Sequence, residues 1–205
     1  MPKKEIILKS GNTIINFDEA DLPMLIHGAA HAGASLFSVT AIVNLFLAER
    51  KVLFFTAYPM AKEEFSEQIK DTDKENKVFY LQNHSDIKEA HKYEVVIVKS
   101  GDSDLCTQTI KALSDVDERI IFVKNIESIL TKELFEVVSR FQKIILSGDL
   151  DQVEFRNEIV KIEFLTKILF STSEIDLKVK LPELEKYVGF MSGRQSGLVT
   201  TRIPC

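Results

Sequence analysis

The sequence has no tryptophan, and its 205 residues include only two cysteines, eight glycines and five prolines. Cys106 and Cys205 lie far apart and match no metal-ligand spacing, so no metal site is predicted. So few cysteines are typical of a reducing compartment, and we expect a cytoplasmic protein. No internal repeat, low-complexity segment or linker divides the chain, and we expect one domain over residues 1–205.

A large excess of charged side chains of one sign is also absent. The 26 basic and 31 acidic side chains are interspersed and give a net charge of −5, which disfavours a nucleic-acid partner. Residues 1–5 lack the apolar run of a signal peptide, and the longest apolar helical stretch, 36–48, contains polar residues and is too short to span a bilayer. We therefore expect no association with a membrane.

What the sequence does contain is a regular alternation of apolar strand-like runs and helical segments. A hairpin is predicted around Gly11 and Asn12, packed on the edge of the main sheet. Further strands are predicted at 24–27, 52–56, 77–81, 93–98, 119–123 and 143–147, and helices at 34–49, 60–70, 103–114 and 130–141. Residues 84–91 are predicted to form a short exposed helix or a turn. This alternation predicts an α/β fold of three layers around a mainly parallel sheet. Short β-like runs at 158–164, 167–171, 175–181, 187–192 and 198–203 predict a C-terminal antiparallel extension.

The chain is organised around the loop that joins the strand 24–27 to the long helix. Its residues are Gly28, Ala29, Ala30, His31, Ala32, Gly33, Ala34 and Ser35. The spacing is that of the phosphate-binding loop G-x-x-x-x-G-K-[ST], in which backbone N–H groups and a helix N-terminus surround a phosphate. Ala34 stands where the lysine that reaches the β- and γ-phosphates belongs. Two alternatives stay open for this loop. It is either a tight strand-to-helix turn without a ligand or a site that binds ATP, ADP or another anion weakly. No required cofactor is predicted.

The hairpin, the strand with its loop, the long helix, the alternating units and the closing hairpin together resemble the RecA-like branch of P-loop ATPases, which includes hexameric helicases and KaiC-like proteins. By motif the resemblance covers residues 24–60. It implies a catalytic carboxylate just beyond the strand 52–56, but residues 56–60 contain no acid. It also implies a magnesium-binding aspartate after a later strand, where the sequence has Lys99 and Lys124; Asp149 follows a third strand two residues late. No catalytic residue and no metal ligand is therefore predicted.

The resemblance accordingly implies a pseudo-ATPase with degenerate Walker motifs, similar in kind to the accessory-ring subunits of Elongator or to recombinase paralogues. Such a chain would act as a structural or regulatory subunit in a homo- or hetero-oligomer with other RecA-like subunits. Arg194 and Arg202 lie in a hairpin similar to the one through which related ATPases reach a neighbouring subunit, although a flexible polar turn is the favoured interpretation. The alternatives are a divergent ATPase that borrows a basic residue from a partner, and a nucleic-acid accessory factor. His27, His84 and His91 show no metal spacing.

Overall fold

The strands and helices of the chain follow the predicted alternation. The structure is a computed structural model that describes residues 6–10, 13–17, 22–28, 34–58, 60–70, 72, 74–99, 101–171, 187–191 and 198–202. The strands are β1 (Ile6–Ser10), β2 (Thr13–Phe17), β3 (Met24–Gly28), β4 (Val52–Thr56), β5 (Val78–Leu81), β6 (Val95–Lys99), β7 (Ile120–Lys124), β8 (Ile144–Gly148), β9 (Thr166–Ser171), β10 (Tyr187–Met191) and β11 (Leu198–Arg202). The α-helices are α1 (Ala34–Leu47), α2 (Ala61–Ile69), α3 (Ser103–Ala112), α4 (Ile126–Ile129), α5 (Lys132–Val138) and α6 (Arg156–Ile159). Short 3-10 segments lie at Glu75–Lys77, His84–Lys92, Val116–Glu118 and Leu150–Gln152. Among these helices none is both long and apolar enough to cross a membrane.

Nine of the described strands form the main sheet, in the order β11-β10-β9-β3-β8-β7-β4-β6-β5. Every neighbouring pair from β10 to β5 is parallel, and β11 pairs antiparallel with β10. The predicted α/β class with a mainly parallel sheet is therefore confirmed.

The central strands are apolar along their whole length because both faces of the sheet are covered. All five residues of β4 are buried. Val52 and Phe54 belong to one hydrophobic core, with side chains of α1 and α2, whereas Leu53 and Phe55 belong to the other, with side chains of α3 to α6. Period-two alternation thus divides each strand between two cores. The result is the predicted arrangement of three layers.

The last third of the chain differs from its prediction. Residues 158–164 form the end of α6 and the turns that follow it, and β9 is an interior strand that lies parallel to both β3 and β10. β9 lies parallel to β8 with β3 between them, so the chain must cross over from β8 to β9, and α6 lies on that connection. The antiparallel extension is thus confined to the β10–β11 pair, while residues 175–181 lie outside the described part of the chain.

The N-terminal hairpin forms as predicted, but its place is different. β1 and β2 pair antiparallel in a sheet of their own, and β1 lies against α1 instead of on the edge of the main sheet. The physical reason lies in α1, which is apolar on nearly every side and therefore needs a covering on the side that faces away from the main sheet.

Candidate functional site

The crevice at the carboxyl ends of β3 and β8 is the candidate site. These two strands are adjacent and parallel, yet the helices that follow them lie on opposite faces of the sheet. Ile42 of α1 packs in one core and Ile159 of α6 in the other. Where connections leave neighbouring strands toward opposite faces, an open parallel sheet has a crevice in which ligands bind.

His27 occupies the β3 side of this crevice. Its Nδ1 accepts a hydrogen bond from the backbone N–H of Leu150 at 3.1 Å and lies 3.4 Å from the carbonyl oxygen of Gly148. Its Nε2 lies 3.8 Å from Oδ2 of Asp151, and only 12% of the imidazole side chain is exposed. Because the donor Leu150 N–H points at Nδ1, the ring is held with Nδ1 as the acceptor and the proton on Nε2.

Two aspartates lie on the β8 side. Asp149 starts the 3-10 turn Leu150–Gln152, and its Oδ1 accepts the N–H of Asp151 at 3.1 Å while its Oδ2 accepts from Nε2 of Gln152 at 2.8 Å. His27, Asp149 and Asp151 each offer one ligand atom, and these three atoms all lie within 4.8 Å of one another. The sequence alone does not reveal this cluster, because the histidine and the aspartates are far apart along the chain. The signal that could have found it is that parallel strands bring all their carboxyl ends to one edge.

The end of β7 supplies a cation and a carboxylate. Lys124 is 1% exposed, and its Nζ lies 3.8 Å from the centre of the Tyr58 ring. Glu127 turns toward β8, where its Oε2 accepts the N–H of Asp149 at 3.0 Å and its Oε1 lies 3.5 Å from Nδ2 of Asn125. This carboxylate therefore fixes the loop after β8.

The end of β4 carries a hydroxyl instead of a carboxylate. Thr56 is buried, its Oγ1 accepts the N–H of Tyr58 at 3.0 Å, and it donates to Oδ1 of Asn125 at 3.5 Å. Asn125 has a left-handed backbone with φ 61°, which its short polar side chain tolerates. Lys99 at the end of β6 is exposed, in contrast to Lys124.

The predicted phosphate loop is described only at its two ends. Gly28 is the last residue of β3 and is buried, and α1 begins at Ala34 and continues through Ser35. Residues 29–33, which include His31, lie outside the described residues, as does Arg194; Arg202 is the last residue of β11. The loop residues and the two arginines therefore remain predictions. One turn into α1, Ser38 is buried, and its Oγ lies 2.8 Å from Oγ of Ser147 on β8.

The amino ends of the same strands hold a different polar cluster. The side chain of Arg119 is fully buried; it donates to both oxygens of Asp115 at 2.9 and 3.1 Å and to the carbonyls of Tyr93 and Glu94. Lys51 donates to Asp115 at 3.0 Å as well. Burial opposes ionisation of Asp115, but the hydrogen bonds from Arg119 and Lys51 outweigh it and hold its pKa below the usual value. This cluster ties the starts of β4, β6 and β7 together.

Comparison with protein-family models and with curated proteins returns no match to this chain. Among solved structures, the chain is similar to the crystal structure of flagellar accessory protein FlaH from Methanocaldococcus jannaschii. The TM-score is 0.44 and the sequence identity 11%, over 94% of this chain and 84% of that one.

Proposed function

We propose that this chain is a RecA-like ATPase-related protein that does not hydrolyse nucleotide and serves as a structural or regulatory subunit of a protein assembly. The observation that carries the proposal is Lys124, which is buried at the end of β7 against the ring of Tyr58. The resemblance to P-loop ATPases requires a magnesium-binding carboxylate at the end of such a strand. A lysine side chain there provides no oxygen ligand for a magnesium ion.

The other parts of a hydrolytic site are also replaced. Phosphoryl transfer is catalysed almost entirely by positioning and by neutralising the charge of the transition state. Thr56 offers a hydroxyl where the water-activating carboxylate would lie, and Ala34 has no cation for the phosphates. Glu127 is engaged with the N–H of Asp149. With these groups missing together, we expect negligible turnover.

A divergent ATPase that obtains a basic residue from a partner is the second candidate. It is favoured by the retained strand-to-helix geometry, since β3 ends at Gly28 and α1 begins at Ala34. A helix N-terminus after such a strand can bind an anion through backbone N–H groups without a lysine. Weak binding of ATP or ADP is compatible with both candidates, whereas turnover is compatible with the second one only.

Hydrolysis assays on the wild-type chain and two restored variants separate these candidates. Ala34→Lys restores the phosphate lysine, and the double variant Ala34→Lys with Lys124→Asp restores the carboxylate as well. We expect no magnesium-dependent ATP hydrolysis by the wild type, and a larger thermal shift with ATP in Ala34→Lys because ligand binding stabilises the folded state by mass action. Hydrolysis by the wild type that is lost in Ser35→Ala would reject the proposal.

Assembly needs its own measurement. β5 lies at one edge of the main sheet and β11 at the other, and such edges are surfaces through which copies or related subunits can associate. The molar mass of the purified full-length chain, by light scattering after size exclusion and again after pull-down from its source, gives the subunit number. A strictly monomeric protein that captures no RecA-like partner would contradict the subunit role.

A further inference from the structure

We propose that His27, Asp149 and Asp151 form a binding site for a divalent transition-metal ion, with Zn²⁺ as the reference ion. The inference is independent of the proposed function, because it concerns the crevice between β3 and β8 and does not require nucleotide. Its basis is that three side chains of metal-ligating type converge at the switch point of the sheet, each with one ligand atom within 4.8 Å of the others.

Small side-chain rotations bring the three atoms to bonding distance. Zinc bonds to imidazole nitrogen and carboxylate oxygen are about 2.0–2.2 Å long, so ligand atoms around one ion lie roughly 3–3.5 Å apart. His27 is fixed, since its ring is nearly buried between the ends of β3 and β8. Asp151 has 57% of its side chain exposed, and it can rotate its Oδ2 the short distance toward an ion at Nε2 of His27.

The hydrogen bonds of Asp149 and the ion pair of Asp151 with Arg156 are compatible with an ion. Oδ1 of Asp151 faces Nη1 of Arg156 at 3.3 Å, so Oδ2 is the oxygen on the metal side. Each oxygen of Asp149 accepts one hydrogen bond, from Asp151 N–H and from Gln152, and a carboxylate oxygen has two lone pairs. Arg156 offsets part of the negative charge when the ion is absent. Water molecules complete the coordination.

Binding at Nε2 requires the imidazole to change its tautomer. Without metal, Nδ1 accepts the N–H of Leu150, and Nε2 carries the proton. With metal on Nε2, the proton moves to Nδ1, which has the carbonyl oxygen of Gly148 within 3.4 Å as its acceptor. A ligating histidine that donates its other N–H to a backbone carbonyl is the usual second contact of a metal site. The ring keeps its one proton in this change, and the hydrogen bond from Leu150 is lost.

The donor set also determines the class of ion. One imidazole nitrogen and two carboxylate oxygens suit Zn²⁺, Co²⁺, Ni²⁺ and Mn²⁺, whereas Mg²⁺ and Ca²⁺ prefer oxygen ligands alone. A bound ion would connect the carboxyl end of β3 to the turn after β8. It would thereby fix the point from which the predicted phosphate loop starts at Gly28.

Titration of the chelator-treated full-length chain tests this site. Zn²⁺ is followed by calorimetry and Co²⁺ by its visible absorption, with His27→Gln and Asp151→Asn as the site variants. His84→Gln is the matched control, since His84 also faces a carboxylate, Asp104 at 3.4 Å, but lies outside the cluster. Thermal unfolding without metal confirms that each variant folds, and the exposed Asp151 keeps the test valid if His27→Gln unfolds.

We expect one Zn²⁺ per chain, affinity reduced about tenfold or more in each site variant, and the wild-type value in His84→Gln. Millimolar Mg²⁺ should not displace Zn²⁺. Absence of binding to the wild type, or equal affinity in Asp151→Asn, would overturn the proposal. Equal losses in Asp151→Asn and His84→Gln would also overturn it, because they would indicate nonspecific surface binding.

Discussion

Gly148 and Glu127 fit together so closely that no side chain can be added between them. A Cβ atom on Gly148 would lie 2.2 Å from Oε2 of Glu127 and 2.9 Å from the backbone nitrogen of Ile126. The φ angle of Gly148 is 152°, in a region that residues with a side chain rarely adopt. The same Glu127 oxygen accepts the N–H of Asp149, so the contact positions the loop that carries the candidate site.

We therefore expect Gly148→Ala to lower the free energy of unfolding by about 3 kcal/mol, from backbone strain and steric clash together. Gly101→Ala is the matched control, because a Cβ there meets nothing within 4 Å, and it should change stability by about 0.5 kcal/mol or less. Urea unfolding of the three proteins measures the difference. Equal stability of the two variants would show that the Gly148 contact is not constrained as described.

The buried pair of Ser38 and Ser147 links α1 to β8 by a 2.8 Å hydrogen bond between hydroxyls. Ser147→Ala should cost about 1 kcal/mol, because a buried hydroxyl on α1 loses this partner. Ser38→Ala combined with Ser147→Ala should cost less than the sum of the single changes, by roughly 0.5–1.5 kcal/mol. A double-mutant cycle by urea unfolding gives the coupling, and strict additivity would contradict it.

Among the polar side chains at the amino ends of the strands, Arg119 should be the one whose substitution lowers the free energy of unfolding most. Arg119→Met removes a fully buried partner of Asp115 and should lower stability by about 3 kcal/mol or more. Lys51→Met removes the half-exposed partner of the same carboxylate and should cost about 1 kcal/mol or less. Chemical denaturation of both variants compares them, and similar losses would show that burial of Arg119 adds nothing.

The pKa of Asp115 predicts a loss of stability in acid. Its folded-state pKa lies below the unfolded value of about 3.9, so its contribution is complete above roughly pH 4 and is lost as pH falls through the folded pKa. Asp115→Asn, which cannot titrate, should lose less stability than the wild type between pH 6 and pH 3. Unfolding curves at both pH values measure this, and parallel losses in the two proteins would exclude Asp115 as the source.

Cys106 should be unreactive while the chain is folded. Burial, followed by the nearby charge of Asp102, raises the pKa of its thiol to about 12, and the residue is 0% exposed. Thiolate is the reactive form, and at pH 8 it is only about one part in ten thousand of such a thiol. In a Cys205→Ser variant, a thiol reagent should label the protein only after denaturant is added. Rapid labelling under native conditions would mean that α3, which contains Cys106, opens readily.

Strands that are covered on both faces were predictable, because β4 and β7 are continuous apolar runs and a run of that kind is typical of a parallel sheet. Residues 158–164 were misassigned because a short apolar run has no period that separates a strand from a helix. The parallel pairing of β9 depends on contacts with β3, which is distant in sequence, and local pattern contains no information about such a neighbour.

The sequence predicted only part of the candidate site. The loop from Gly28 to Ser35 is predicted from its spacing and remains a prediction, and Lys124 was noted as the residue that replaces a carboxylate. Its burial against Tyr58 was not foreseen, since an isolated lysine is usually exposed. His27 and Asp149 meet because β3 and β8 are neighbours, and strand order was not determined by the alternation alone.

β7 begins next to Arg119 and ends with Lys124, so one strand connects the buried ionic cluster to the candidate site. At about 3.3 Å per residue the two side chains are separated by some 16 Å of rigid backbone. Changes that strengthen the amino-terminal cluster should consequently leave the chemistry at the opposite rim untouched. The stability of the chain can therefore be changed at this cluster without changing binding at the candidate site.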